Sequence, residues 1–242
     1  GVTQKYGDFG AALRPEKRTP VPALPLFEEG VWWAQDAGAM QAALLLRSLP
    51  KGSKVLDMCS APGGKALQLS SFGFDVVAVE KSAKRAARLR QNLERCKCNA
   101  DVRVQDANLI NDMFDGVLVD APCSATGTAR RRPDVLRKEL DLGALAETQA
   151  ALLDAAWRCL KPGGLLVFSS CSALTADAEA SFAAFLERTA DAEVVPVAAA
   201  ELNEIDGGGV VDGALRLWPW HVAGDVGGCD AHYAARVRKR AA

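Results

Sequence analysis

No apolar run in this 242-residue chain approaches the ~20 residues needed to span a bilayer, and no secretory signal is visible. Histidine occurs only twice, and Cys96-Lys-Cys98 is not a C-x-x-C pair, so the spacing rules for zinc are not met. The glycine-rich stretches match neither G-x-x-x-x-G-K-[ST] nor G-x-G-x-x-G after a strand, which sets ATP and NAD aside. Net charge is nearly absent too, at −1, so bulk charge argues for no particular partner. Seven cysteines, an odd number without a signal peptide, point to reduced thiols in a cytoplasmic protein. The first residue is Gly1 rather than Met, which reads as a processed or shortened chain.

What is present is a chain 49% hydrophobic and 24% charged, suited to one large soluble domain with a lead-in. The lead-in is placed at 1–36, irregular and packed on the catalytic domain, because Pro15, Pro20, Pro22 and Pro25 forbid a long helix. The domain proper is placed at 37–242. Asp36 is the expected N-cap of a helix over 37–49 that Pro50 ends.

Strands and helices then alternate. Val55-Leu-Asp57, Val76–Glu80, Val102–Gln105, Phe114–Asp120 and Leu165–Ser170 read as strands. Segments 65–70, 81–96, 144–160 and 178–188 read as helices, and Lys161-Pro-Gly-Gly164 as a turn. Such alternation implies a parallel sheet covered on both faces. Leu215–Trp218 and Tyr233–Val237, joined by a loop, read as an antiparallel hairpin at its edge.

The strongest local signal is Val55-Leu-Asp-Met-Cys-Ser-Ala-Pro-Gly-Gly-Lys65, a strand, a glycine turn and a helix start. Glycine lets backbone amides approach a ligand, and the helix N-terminus offers free N–H donors. An acid at the strand end suits a cofactor with a positive amino group, such as S-adenosyl-L-methionine. Acids recur at four strand ends: Asp57, Glu80, Asp106 and Asp120. Ligands of open α/β sheets bind outside those ends, and Glu80, 16 residues past Gly64, suits a ribose hydroxyl. Two strand ends also carry thiols, Cys123 and Cys171, which should open toward one crevice. A thiolate is suited to adding to an electron-poor ring. Against this stands the ordinary fate of cysteine as a small buried residue.

Charge is unevenly spread. Lys81 to Lys97 holds seven bases and one acid, and Arg130 to Lys138 five bases and one acid. Asp177 to Asp206 holds eight acids and one base. A basic and an acidic side suit an anionic polymer, although each cluster alone reads more readily as an ordinary solvated helix face.

Three stretches, Asp57–Lys65, Asp120-Ala-Pro-Cys-Ser-Ala-Thr-Gly127 and Ser170-Cys-Ser172, resemble the signature motifs of the RNA (cytosine-5) methyltransferases. Phe27–Asp36 and Arg130-Arg-Arg-Pro-Asp134 resemble the Sun/RsmB branch, whose substrate is bacterial small-subunit rRNA. Ser60, Ala66, Ala125 and Ser170 depart mildly from the pattern, and Gly228–Tyr233 replaces a more aromatic stretch. The resemblance implies a Rossmann-like methyltransferase fold with a mostly parallel seven-stranded sheet and an antiparallel edge hairpin. It implies S-adenosyl-L-methionine held by Cys59, Ser60, Ala61, Pro62, Gly63, Gly64 and Lys65, with Glu80 on the ribose and Asp106 on the adenine. It assigns the attacking thiol to Cys171, release to Cys123, and cytosine recognition to Asp120, which also borders the cofactor. Arg130, Arg131 and Arg132 are expected to bind RNA. The protein is expected to be a monomer acting on rRNA without metal or membrane. A tRNA substrate, a DNA substrate and a non-catalytic ribosome-assembly module are the competing readings.

Overall fold

Four apolar runs, at 54–58, 75–79, 114–120 and 160–170, become the buried strands around which the helices pack. The computed structural model describes residues 2–5, 11–14, 19–202, 205–206, 209–223 and 228–241. Seven principal strands are β1 (Lys54–Met58), β2 (Asp75–Val79), β3 (Asp101–Arg103), β4 (Phe114–Asp120), β5 (Leu160–Ser170), β6 (Ala214–Leu217) and β7 (His232–Lys239). They lie in the order β3-β2-β1-β4-β5-β7-β6. The pairs among β1 to β5 are parallel, whereas β7 runs antiparallel to both β5 and β6. The expected hairpin is thus present, with β7 inside the sheet and β6 outside it. Two short strands, Ala192–Val194 on β7 and Val210–Val211 on β6, widen it further.

The helices are α1 (Ala37–Leu44), α2 (Gly64–Ser71), α3 (Ala83–Arg95), α4 (Leu142–Cys159) and α5 (Glu179–Arg188). Successive strand side chains leave on opposite faces, so each strand feeds two cores. Leu56, Val77, Val117 and Leu166 pack with Leu152, Leu153, Phe182 and Phe185 of α4 and α5. Val55, Val76, Leu118 and Val167 pack on the other face with Leu67, Leu69 and Leu89 of α2 and α3. Each fully buried Leu or Val contributes about 1.5–3 kcal/mol.

The chain goes from β1 outward to β3, then crosses back to β4 on the other side of β1. That reversal opens a crevice beyond the C-terminal ends of β1 and β4, where ligands of such sheets sit. The sequence places Asp57, Cys59 and Asp120 there.

Three local differences have physical causes. The helix expected over 37–49 ends at Leu44. Leu45, Leu46 and Arg47 instead donate to carbonyls three residues back, a tightened turn ahead of Pro50. The turn expected at 161–164 is part of β5, which begins at Leu160. Leu160 already pairs with Phe114, and the register shifts before Gly116 meets Leu165. The lead-in expected to be irregular contains an antiparallel pair, Val2–Lys5 with Ala11–Arg14, and a short turn of helix at Val21–Ala23. Pro15 lies outside the described residues, as does part of the loop expected over 207–213.

Candidate active site

The glycine turn takes the form its composition dictates. Gly63 has φ +109° and caps α2 without a side-chain bond, so the first-turn amides of α2 are left without a capping group. A Cβ at Gly63 would stand 2.6 Å from Leu89 Cδ1, so the position excludes larger residues twice over. Helix α3 pins the turn from outside: Arg85 Nη2 donates to Ala61 O at 2.6 Å, and Asn92 Nδ2 to Pro62 O at 2.8 Å. Ser60 N donates to Val79 O at 3.0 Å, tying the loop to β2. Cys59 is half-buried beside Asp120, Asp57 and Glu80; burial first, then those charges, push its thiol up to about 12. At neutral pH it is a spacer with no nucleophilic character.

Of the four acids, Asp57 and Glu80 are buried and Asp106 and Asp120 are half-open. Ser60 Oγ donates to Asp57 Oδ2 at 2.6 Å, while Oδ1 is buried with no hydrogen-bond partner among the described residues. Burial, aided by the Asp120 charge and opposed by the Ser60 bond, raises the Asp57 carboxyl to about 7. Glu80 Oε1 accepts from Ser82 N at 2.9 Å. Its Oε2 lies 3.3 Å from Arg85 Nη1 but in poor alignment, so it too is buried without a hydrogen bond. Asp106 accepts from Asn108 N at 3.0 Å and pairs with Lys81 at 2.9 Å, which hold its carboxyl below the usual range. The unpartnered Asp57 oxygen, the buried Glu80 carboxylate and an uncapped helix start fit a ligand with cationic and hydroxyl groups.

Asp120 ends β4 and reaches back to the cradle. Lys65 Nζ lies 2.9 Å from Asp120 Oδ2. Burial opposes the Lys65 charge, but the Asp120 carboxylate outweighs it and holds the ammonium above its usual range. Ser169 Oγ lies 3.4 Å from Asp120 Oδ1 and 2.8 Å from His232 Nε2. Burial, then repulsion from Lys65, lowers His232 to about 3, so the imidazole is neutral.

The two thiols meet. Cys123 Sγ is 3.4 Å from Cys171 Sγ, where the loops after β4 and β5 converge. A buried hydroxyl cluster fixes those loops. Ser124 Oγ lies 2.9 Å from Ser172 Oγ and 3.0 Å from Thr126 Oγ1. Buried Asp177 accepts from Ser124 N at 2.7 Å and from Gln149 Nε2 at 2.9 Å. Gly127 N donates to Cys171 O, and Ala231 N to Gly127 O, both at 3.0 Å. A Cβ on Gly127 would collide with Ala231 O and stand 2.6 Å from Cys171 O, so only glycine fits between them. The sulfurs share a hydrogen bond, which lowers Cys123 and raises Cys171 from the usual thiol range; burial raises Cys171 further. The first proton of the pair therefore comes off more easily than the second.

The structure brings Cys59, Lys65, Asp120, Cys123 and Cys171 to one edge of the sheet, as the sequence predicts. The three arginines behave differently. Arg131 Nε donates to buried Asp230 Oδ2 at 2.7 Å, and Arg130 Nη2 lies 3.5 Å from Asp230 Oδ1 and 3.4 Å from Asp36 Oδ2. They clamp the 228–232 segment to the Cys123 loop. Among the described residues, Arg132 pairs only with exposed Asp134, at 3.1 Å. Sequence reasoning passed over Asp177, Gln149, Ser169 and His232. Asp177 carried no signal, lying inside an acidic run; His232 lay in the stretch where the motif pattern breaks.

Residues 43–237 match a family model described as 16S rRNA methyltransferase RsmB/F. Ribosomal RNA small subunit methyltransferase B of Cronobacter sakazakii is 42% identical over 202 residues, 80% of this chain and 46% of the relative. The protein of that name from Xanthomonas campestris is 42% identical over 199 residues, 78% of this chain and 45% of the relative. The chain thus spans about half the length of the curated relatives it matches. Among solved structures, a methyltransferase homolog protein from Pyrococcus horikoshii superimposes with a TM-score of 0.74 at 27% identity. The match covers 92% of this chain and 73% of that one. PH0851 superimposes with a TM-score of 0.81 at 26% identity, over 92% of this chain and 50% of its own. Among the described residues, no helix is long and apolar enough to cross a membrane, and no group of three His, Cys, Asp or Glu is placed to hold a metal.

Proposed function

Since the chain belongs to the RsmB/F family of 16S rRNA methyltransferases, we propose that it methylates carbon 5 of a cytosine in small-subunit rRNA through a covalent cysteine–cytosine intermediate. The observation that carries this reading is the contact of Cys123 with Cys171 at 3.4 Å, beside the Lys65–Asp120 pair.

S-adenosyl-L-methionine, when bound, supplies an electrophilic methyl group. The unbonded Asp57 Oδ1, the buried Glu80 carboxylate and the open start of α2 support a site for it over Cys59–Lys65, with Glu80 on the ribose and Asp106 toward the adenine. Asp120 accepts from the cytosine amino group, with Lys65 and Ser169 holding its carboxylate in place.

Carbon 5 of cytosine is a poor nucleophile until a thiol adds at carbon 6. Cys171 loses its proton to solvent and adds there, and the ring electrons gather at carbon 5. After methyl transfer, Cys123, its proton lost to solvent, takes the carbon 5 proton. The C–H electrons restore the ring double bond, the C6–S bond breaks, and Cys171 leaves as thiolate.

The test is transfer of labelled methyl to unmodified 16S rRNA, followed by nucleoside analysis. Label in 5-methylcytidine supports the reading. Label elsewhere, or none with folded protein and bound cofactor, rejects it.

A further inference from the structure

At the far edge of the same crevice, β6 ends in a loop whose aromatic rings serve no part of the core. Trp218 and Trp220 are parallel, with 5.3 Å between ring centroids and 5° between planes. Trp220 is 68% exposed, with Leu109 the most exposed large apolar side chain among the described residues. The inner end of the stack is anchored. The Arg216 guanidinium lies over the Trp218 ring, 4.4 Å from its centroid, and Arg216 is 4% exposed.

Arg216 ties the stack to the thiols. Its Nη1 donates at 2.8 Å to Ser172 O, the residue after Cys171. The sheet register agrees: Leu217 pairs with His232, and the next residue, Tyr233, pairs with Ser170. The loop itself is closed by Trp218 N donating to His221 Nδ1 at 3.2 Å and by His221 N donating to Trp218 O at 2.9 Å. Cys229 Sγ adds a third bond to Trp218 O at 3.4 Å. These bonds fix the backbone of Trp218 and His221, whose rings both pack against Trp220, so stacking on that ring costs little conformational entropy.

We infer that the open face of Trp220 is a stacking platform for an unpaired base of single-stranded RNA, next to the cytosine that enters the thiol site. This rests on the function proposed above and adds to it a subsite for a neighbouring nucleotide. A base taken out of its stack leaves its neighbours with an uncovered π-face, and an aromatic platform replaces the lost contact whatever the base. A cation beneath the stack strengthens its attraction for further π-systems.

The experiment uses the whole chain and an oligoribocytidylate of about 12 nucleotides, a length within the usual range of stacking sites. Affinity is measured by fluorescence anisotropy across a series of salt concentrations. Trp220→Ala should weaken binding about tenfold, the typical loss of one stacked base. Trp220→Phe should restore most of it. The salt slope should be unchanged in both, because no phosphate contact is removed. S-adenosyl-L-methionine binding, measured alongside, should equal that of the wild type and shows that the variants are folded.

Equal RNA affinity of wild type and Trp220→Ala overturns the platform and leaves the methyl transfer reading standing. A wild type that neither binds nor methylates RNA overturns both. Self-association that disappears in Trp220→Ala, with RNA affinity unchanged, identifies the stack as a contact between copies and overturns the RNA assignment.

Discussion

Lys65 Nζ and Asp120 Oδ2 stand 2.9 Å apart, joining the first turn of α2 to the last residue of β4. The contact links the proposed cofactor cradle to the proposed base-reading acid. Lys65 is almost wholly buried, so removing its charge leaves Asp120 without its partner. Lys65→Met should cost roughly 2 kcal/mol of stability, below the full penalty for a deeply buried pair because Asp120 is partly open. It should also slow methyl transfer at saturating cofactor. Urea denaturation and single-turnover rates measure the two effects separately.

The thiols should fail in different ways. Cys171→Ala removes the attacking sulfur, so no covalent adduct forms. Cys123→Ala leaves attack and methyl transfer possible but slows elimination, so a protein–RNA complex should accumulate in a denaturing gel when S-adenosyl-L-methionine is present. An adduct in Cys171→Ala alone would reverse the assignment, and near-normal turnover of both variants would make the pair structural. Loss of the hydrogen bond from Cys123 should also bring Cys171 down toward its ordinary range. Its alkylation by iodoacetamide should therefore begin at lower pH in Cys123→Ala than in wild type.

Asp57 gives cofactor binding a pH dependence. Its carboxyl titrates at about 7 because it is buried. Below that pH it is protonated, and accepting a cationic amino group requires the proton to leave. Affinity for S-adenosyl-L-methionine should thus rise with pH up to about 7 and level off above, by at most about tenfold per unit. Asp57→Asn should flatten the profile. Calorimetry in buffers of different ionisation enthalpy reads the proton released; a wild-type profile already flat from pH 5.5 to 8 would remove Asp57 from the cofactor's amino group.

Arg130 and Arg131 should act on stability before they act on RNA. Together they face Asp230, whose carboxyl burial already raises. Replacing both with Ala should lower stability by about 1–3 kcal/mol at neutral pH, the cost of an unpaired buried carboxylate. The loss should shrink as acid protonates Asp230, whose raised carboxyl then needs no cation. Arg132→Ala should leave the melting temperature nearly unchanged, since its partner is exposed. Thermal melts at neutral and acid pH distinguish the three positions.

His232 should mark the acid side of the stability curve. Its folded-state pKa, about 3, lies below the ordinary value of 6.5. The unfolded chain therefore takes up a proton first as pH falls, and stability is lost from about 6.5 downward. His232→Phe should remove that share of the loss, visible as a shallower fall in urea midpoints between pH 6.5 and 4.

The sequence by itself determined the alternation of strands and helices, the glycine turn, the acids at strand ends and the two thiol loops. These are local properties: side-chain period, backbone freedom at Gly63 and chain order do not depend on what lies across the fold. It did not determine partners. Arg130–Arg132 read as three equivalent bases, yet two of them neutralise Asp230, about a hundred residues onward, and only folding places that acid beneath them. The four strand-end acids read alike, yet depth in the crevice separates Asp57, raised to about 7, from Asp106, held low by Asn108 and Lys81. The contact of Cys123 with Cys171 and the Arg216–Trp218–Trp220 stack are of the same kind. Tertiary structure decided them because burial and distance, which set charge state and contact, are properties of the folded chain and not of the residue.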